Sequence, residues 1–134
     1  MPIDRFRSHE TSYSDRVSVS GPGYWVHIAG QLAFDDDRQI VAGGMDAETH
    51  GCFDRIHELI TGAGGRGLAD VVAITVYLLS LDDYSVFDRV RAERFGMHRP
   101  ASAAVQVAGL LFGGHIEISA IAFVGGESRP PGET

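Results

Sequence analysis

PASAAVQVAGLLFGGHIEISAIA, residues 100–122, contains two strand-like stretches whose alternation decides the fold. Residues 101–107 and 115–124 read as strands joined by a turn around Gly113 and Gly114, where glycine takes positive φ without steric cost. In the second stretch Ile116, Ile118, Ala120 and Ala122 alternate with His115, Glu117, Ser119 and Ile121. One face is therefore apolar, and Glu117 stands on the other. Glu is depleted from strands and a buried charge needs a partner or a proton, so Glu117 is either a solvated edge carboxylate or a site group.

Upstream, residues 70–80 (DVVAITVYLLS) are β-branched and nearly continuous in apolar side chains, the pattern of a central strand buried on both faces. A helix is expected on either side of it. In the first, Thr49, Cys52, Phe53, Ile56, Leu59, Ile60 and Ala63 follow helical spacing, with Asp46 as the expected N-cap and Gly62, Gly64 and Gly65 as the stop. The second runs from Asp82 or Asp83 to Phe95, where Tyr84, Phe87, Val90, Arg91 and Phe95 share a stripe if the Arg91 stem packs. Nearer the start, residues 16–20 and 24–29 are strand candidates across Gly21-Pro22-Gly23, which predicts a hairpin with Trp25 and His27 on one face. Asp35-Asp36-Asp37 falls in a loop before a short extended piece at Ile40-Val41. Strands, helix, strand, helix and two strands suit an α+β sandwich, a mixed sheet with both helices packed on one face.

At 134 residues, 44% hydrophobic and 22% charged, the chain fits a single domain spanning 1–134, with a core of about 13–124. Residues 1–12 and 125–134 have the polar, Gly- and Pro-rich content of loosely held ends. No apolar run approaches the roughly 20 residues needed to cross a bilayer. The first residues lack the apolar core of a secretory signal, and a lone Cys52 excludes an intrachain disulfide framework, so a reducing cytoplasm is the expected compartment. The net charge of −7, from 18 acidic and 11 basic residues spread along the chain, disfavours nucleic acid as a partner.

Several motifs fail on context. Gly62, Gly64 and Gly67 satisfy G-x-G-x-x-G but end a helix, whereas a pyrophosphate loop opens one. The Asp35–Asp37 run lacks the ligand spacing of a calcium loop. Six histidines include no HxH or HExxH, so no metal and no cofactor is expected. Cys52 lies on an apolar stripe and reads as a core residue.

The order of elements and several short motifs together resemble the YjgF/Rid family across roughly residues 12–124. Ser12-Tyr13-Ser14-Asp15-Arg16-Val17 is similar to the family's PYSQAV opening, and His27-Ile28-Ala29-Gly30-Gln31 to its SGQ strand end. Glu48-Thr49 resembles the QT of the first helix, residues 62–72 the aGa…DVV segment, and the 100–122 block with Ile116-Glu117-Ile118 the PAR…VEI signature.

The resemblance implies a chorismate-mutase-like fold and a homotrimer with clefts between subunits, in which active members hydrolyse reactive enamines and imines of amino acids to keto acids and ammonia. In those members an Arg grips the substrate carboxylate and a Glu-positioned water attacks the imine carbon. By matched position Glu117 keeps the water role, Tyr13 the aromatic wall and Gly30 a backbone N–H. The departures concern binding: Ser102 stands where the Arg should be, Ala29 replaces the Ser of SGQ, and Asp88 falls where many members have Asn. Losing a bidentate guanidinium–carboxylate pair costs about 2–4 kcal/mol of affinity, which makes standard 2-imino acids poor substrates. Arg91 and Arg99 are near enough in sequence to lend a substitute guanidinium. The leading reading is a Rid-like hydrolase or deaminase for a neutral or cationic small molecule, with Glu117 directing water and Tyr13, Tyr77, Asp88 and Ser102 shaping the cleft. The alternative is a non-catalytic trimeric small-molecule-binding module.

Overall fold

The two strands of the 100–122 block form, but they are not neighbours. In the computed structural model, which describes residues 2–126, the chain runs β1 (Ile3–Phe6), β2 (Arg16–Val19), β3 (Gly23–Gln31), α1 (Gly44–Gly62), β4 (Val71–Leu78), α2 (Tyr84–Phe95), β5 (Ala101–Gln106) and β6 (Ile116–Gly125). Four strands make one sheet of order β3-β6-β4-β5, with β4 between the two halves of the block. β5 lies parallel to β4, which a crossover through α2 permits, while β6 returns antiparallel to β4 and also pairs antiparallel with β3. The sheet is mixed and carries both helices on one face, the α+β architecture expected from the pattern.

That face is the core. Ile74, Val76 and Leu78 of β4 and Ile116, Ile118 and Ala120 of β6 pack under Phe53, Ile56 and Ile60 of α1 and Phe87 and Val90 of α2, all buried. Phe53 sits edge-on to Phe95 at 5.1 Å and tilted against Phe87 at 6.3 Å, which joins the two helices through aromatic contacts. β4 is not buried on both faces: Ala73, Thr75 and Tyr77 alternate as half-buried residues because both helices of the described residues lie on the other sheet face.

Three local expectations are corrected. The hairpin across Gly21-Pro22-Gly23 does not form; β2 pairs back with β1, and β3 pairs with β6. Nine-residue β3 finds a far longer ladder on ten-residue β6 than four-residue β2 offers, and the pairing sets Trp25 edge-on to Phe123 at 5.1 Å. The N-terminal segment is held rather than loose, because β1 pairs with β2 and Arg5 donates Nη1 to the Arg99 carbonyl at 2.8 Å and Nη2 to the Ala69 carbonyl at 3.0 Å. Helix α1 starts at Gly44 after a left-handed Gly43, so Asp46 lies in its first turn, where a carboxylate favours the helix dipole and here takes Arg89 at 2.9 Å. The expected C-terminal tail falls outside the described residues from 127 onward. No helix among the described residues is long and apolar enough to cross a membrane.

Replacing Phe53 by Ala removes the ring that joins α1 to α2. The expected cost is about 3–5 kcal/mol of unfolding free energy, read as a lower urea midpoint with an unchanged slope.

Candidate functional site

The residues singled out in the sequence gather in two groups on opposite faces of the sheet. Register places Glu117 opposite Tyr77, on the face left open by the helices. β3 breaks register between Ile28 and Gln31, and the break carries Gly30 against the Glu117 carboxylate; a Cβ at Gly30 would overlap Glu117 Oε2. Only glycine leaves that room. Glu117 is half-buried and has no hydrogen bond or ion pair from a described side chain.

The second group surrounds Arg91, whose side chain is 1% exposed. Its Nε donates to Ser12 Oγ at 2.7 Å, Nη1 to Ser102 Oγ at 2.8 Å, and Nη2 to Tyr84 Oη at 2.7 Å and to Asp88 Oδ1 at 3.0 Å. The guanidinium also lies over the rings of Phe87 at 4.6 Å and Tyr13 at 4.9 Å. Ser12 Oγ in turn donates to Asp88 Oδ1 at 2.6 Å. That bond, and then Arg91, hold the Asp88 carboxyl below the usual carboxylate range against an opposing cost of burial. Tyr13, Asp88 and Ser102 are thus brought together by a residue from the apolar stripe of α2. The structure fixes the direction of Arg91 and makes it fully structural in its contacts. The Arg99 carbonyl accepts from Arg5 and Ser14, and its Nε is buried without a hydrogen-bond partner among the described residues.

Ser102 pairs in register with Ile74 and shares the helix-side face, whereas Tyr77, Val105 and Glu117 share the other. A cavity of about 460 Å³ at the β5 edge is lined by Tyr13, Asp15, Thr75 and Ser102 among others. A slightly larger one, about 490 Å³, lies between α1 and the 32–41 loop with Phe34, Asp35, Arg38 and Asp54 in its wall, away from both groups. The β5-edge cavity is bordered by two of the predicted site residues, Tyr13 and Ser102.

The family described as Endoribonuclease L-PSP matches residues 5–124. The chain belongs to this family. It is the YjgF/Rid family of the sequence pattern. A RutC family protein of Pyrococcus abyssi is 36% identical over 112 residues, covering 83% of this chain and 85% of that protein. A Bos taurus protein named 2-iminobutanoate/2-iminopropanoate deaminase is 39% identical over 114 residues, covering 84% of this chain and 80% of its own length. The crystal structure of RidA from an Antarctic Psychrobacter superposes with a TM-score of 0.71 at 34% identity, covering 92% of this chain and 99% of the other.

Arg91 of α2 reaches the Ser102 hydroxyl from the helix side of the sheet, with Nη1 donating at 2.8 Å. Sequence reasoning missed Ser12 and Tyr84 as its partners; the one available signal was an Arg on an apolar helical stripe. It also missed a buried carboxylate: Glu48, 2% exposed, accepts from the His115 backbone N–H at 2.9 Å and pairs with His115 Nδ1 at 2.7 Å. Cys52 behaves as the apolar stripe predicts. It is fully buried, its Sγ contacts the Gln31 carbonyl at 3.2 Å, and burial, with the charges of Glu48 and Glu117, pushes its thiol up to about 12.

Two outcomes follow from this packing. Gly30→Ala should displace the Glu117 carboxylate, read as a shift of its side-chain NMR resonance, while leaving the thermal midpoint within about 2–3 °C because the atoms it meets end a flexible side chain; Gly62→Ala, with open space around it, should change neither. Cys52 should resist iodoacetamide at pH 8 in the folded protein and react fully in denaturant, as read by mass spectrometry.

Proposed function

We propose that this chain hydrolyses an enamine or imine of a small metabolite in a cleft between copies of itself, with Glu117 directing the water. The observation that carries the reading is the state of Glu117, a half-buried carboxylate in mid-strand, against the Gly30 backbone, with no described side chain to neutralise it. A carboxylate kept for structure normally has such a partner, as Glu48 and Asp70 do here. Relatives named 2-iminobutanoate/2-iminopropanoate deaminase support the reaction class.

In the proposed step the water oxygen bonds to the C=N carbon while Glu117 takes one water proton and passes it to nitrogen, giving a carbinolamine; the hydroxyl proton then moves to nitrogen, again by way of Glu117, as the C–N bond breaks and ammonia leaves a carbonyl product. Tyr77 flanks the carboxylate, and Gly30 offers backbone at close range. Tyr13, Asp88 and Ser102 shape the other wall. Because one chain holds Glu117 and Ser102 on opposite faces, a second copy is needed to bring both walls to one small molecule. The open sheet face, with Trp25 51% and Val105 45% exposed, is the surface such copies would cover, and the stoichiometry of three follows the family resemblance. The reading includes a single domain over 1–134 and a cytosolic setting. A substrate other than a standard 2-imino acid suits the missing Arg at 102. The family's description also mentions endoribonuclease activity, but a net charge of −7 weighs against a polyanion substrate.

The test is carbonyl and ammonia release from imines generated in situ by an oxidase, with native protein and Glu117→Gln at equal assembly. Loss of about 100-fold or more in the variant is expected. A variant as fast as the native chain, or no turnover of any imine, overturns the hydrolase reading and leaves the binding module.

A further inference from the structure

We infer that His115, clamped by the buried Glu48, is a substrate-positioning residue of the Glu117 site: its Nε2 accepts the N–H of the imine and so turns the nitrogen lone pair back toward Glu117. The inference deepens the proposed function and rests on it for the reaction, not for the arrangement of the side chains.

Three observations carry it. The first is the clamp. Glu48 of α1, 2% exposed, accepts the His115 backbone N–H on Oε1 at 2.9 Å and meets Nδ1 with Oε2 at 2.7 Å. A carboxylate only accepts, so the hydrogen-bond network assigns the ring proton to Nδ1 and leaves Nε2 of the neutral ring an acceptor. The His115 side chain is 50% exposed, and Nε2 has no hydrogen bond or ion pair to a described residue. One edge of the ring is thus fixed while the other meets solvent. The second observation is position. The Leu79 N–H donates to the His115 carbonyl at 3.0 Å, which carries the β4–β6 ladder one residue beyond Leu78 and Ile116. Burial keeps alternating across that point: 114, 116 and 118 are buried, 115 is exposed, and 117 and 119 are half-buried. His115 and Glu117 therefore leave the chain on the same side, with Cα atoms about 7 Å apart. The third is a shared floor. Cys52, one turn after Glu48 on α1, sets Sγ 3.2 Å from the Gln31 carbonyl and 3.9 Å from that of Ile116, the residue between His115 and Glu117. Burial first, and then the charges of Glu48 and Glu117, raise that thiol, so both carboxylates lie within electrostatic reach of one sulfur.

The chemistry gives the second group its task. An unsubstituted imine nitrogen carries one N–H and one lone pair, and the proposed step delivers protons to that lone pair through Glu117. The N–H must then point elsewhere, and an acceptor two residues along the same side of the chain supplies the direction. About 7 Å between the two backbones leaves room for one water and one C=N group between the side chains. With the ring proton moved to Nε2, the same ring would meet the imine donor to donor and the placement would be lost. Glu48 acts only through that tautomer, as a positioning residue for His115.

The experiment compares the full chain with its His115→Asn and Glu48→Gln variants at pH 8. Asparagine keeps a donor for Glu48 where Nδ1–H stood and has no atom in place of Nε2. Glutamine at 48 keeps an oxygen for the His115 backbone N–H but turns an NH2 group to Nδ1, which moves the ring proton to Nε2. Ring 15N NMR should read Nδ1–H in the native chain and Nε2–H in Glu48→Gln. With the imine that the native chain turns over best, both variants should lose about tenfold in kcat/KM while assembly size is unchanged and the thermal midpoint stays within about 3 °C. Acetamidine, an N–H-bearing C=N compound stable over the titration, should shift the native Nε2 resonance more than Nδ1. A folded His115→Asn within about twofold of native overturns the inference, as does a native ring protonated at Nε2 alone. Where a variant fails to assemble, the native titration decides, and an Nε2 resonance that acetamidine leaves unmoved overturns the inference. An Nε2 shift without turnover of any imine upholds the placement of His115 while defeating the hydrolase reading; turnover that Glu117→Gln abolishes and His115→Asn leaves intact does the reverse.

Discussion

A single buried guanidinium ties the N-terminal side of this molecule to the edge of its sheet. Arg91 joins the N-terminal segment through Ser12 and Tyr13, its own helix through Tyr84, Phe87 and Asp88, and the edge strand β5 through Ser102. Taking a guanidinium out of water is costly unless its donors are met and its charge is balanced, and here both conditions are satisfied by side chains from three separate stretches of sequence. Those stretches are therefore fixed relative to one another. The segment around residues 12–15 lies along β5, with Ser14 bridging to Ala101 and bonding the Pro100 and Arg99 carbonyls.

The other constraint is the one-sidedness of the sheet. Both helices spend their apolar stripes on the same face, so the alternate residues of β4 and β6 are left for something else. Glu117, Ser119, Tyr77 and Thr75 stand on that open face in register. An ionisable group is tolerated there because water or a second surface can reach it, whereas one residue to either side it would enter the core between Ile116 and Ile118.

Much of this was legible in the sequence. The alternation of Ile116, Ile118, Ala120 and Ala122 fixed which side of β6 is buried, and the apolar stripe of α1 named Cys52, Phe53, Ile56 and Ile60 correctly. Pairing was less legible, because strand partners are chosen by ladder length and by contacts far along the chain. Nothing in Gly21-Pro22-Gly23 reveals that β3 prefers β6, a strand some ninety residues on. The loose N-terminus was misread for a similar reason: its hold comes from Arg5 bonding carbonyls at Ala69 and Arg99. Of the candidate site, Glu117 could be read from the strand alternation, and Gly30 only from the family resemblance. The Arg91 cage could not, since its members are separated by up to 90 residues and only the fold makes them adjacent.

The bond between Glu48 and the start of β6 has a consequence for how the chain tolerates change. Glu48 accepts the backbone N–H of His115 and meets its ring, one residue before β6 begins and two before Glu117. A strand alternates faces at every residue, so whatever fixes its first hydrogen bond fixes the face of each side chain after it. A helix residue on the far side of the core thus acts as a register pin for the open face. Insertions or deletions in the 107–114 loop leave that pin in place and are absorbed within the loop, whereas drift at position 48 turns into a misdirected carboxylate at 117 with no substitution there at all.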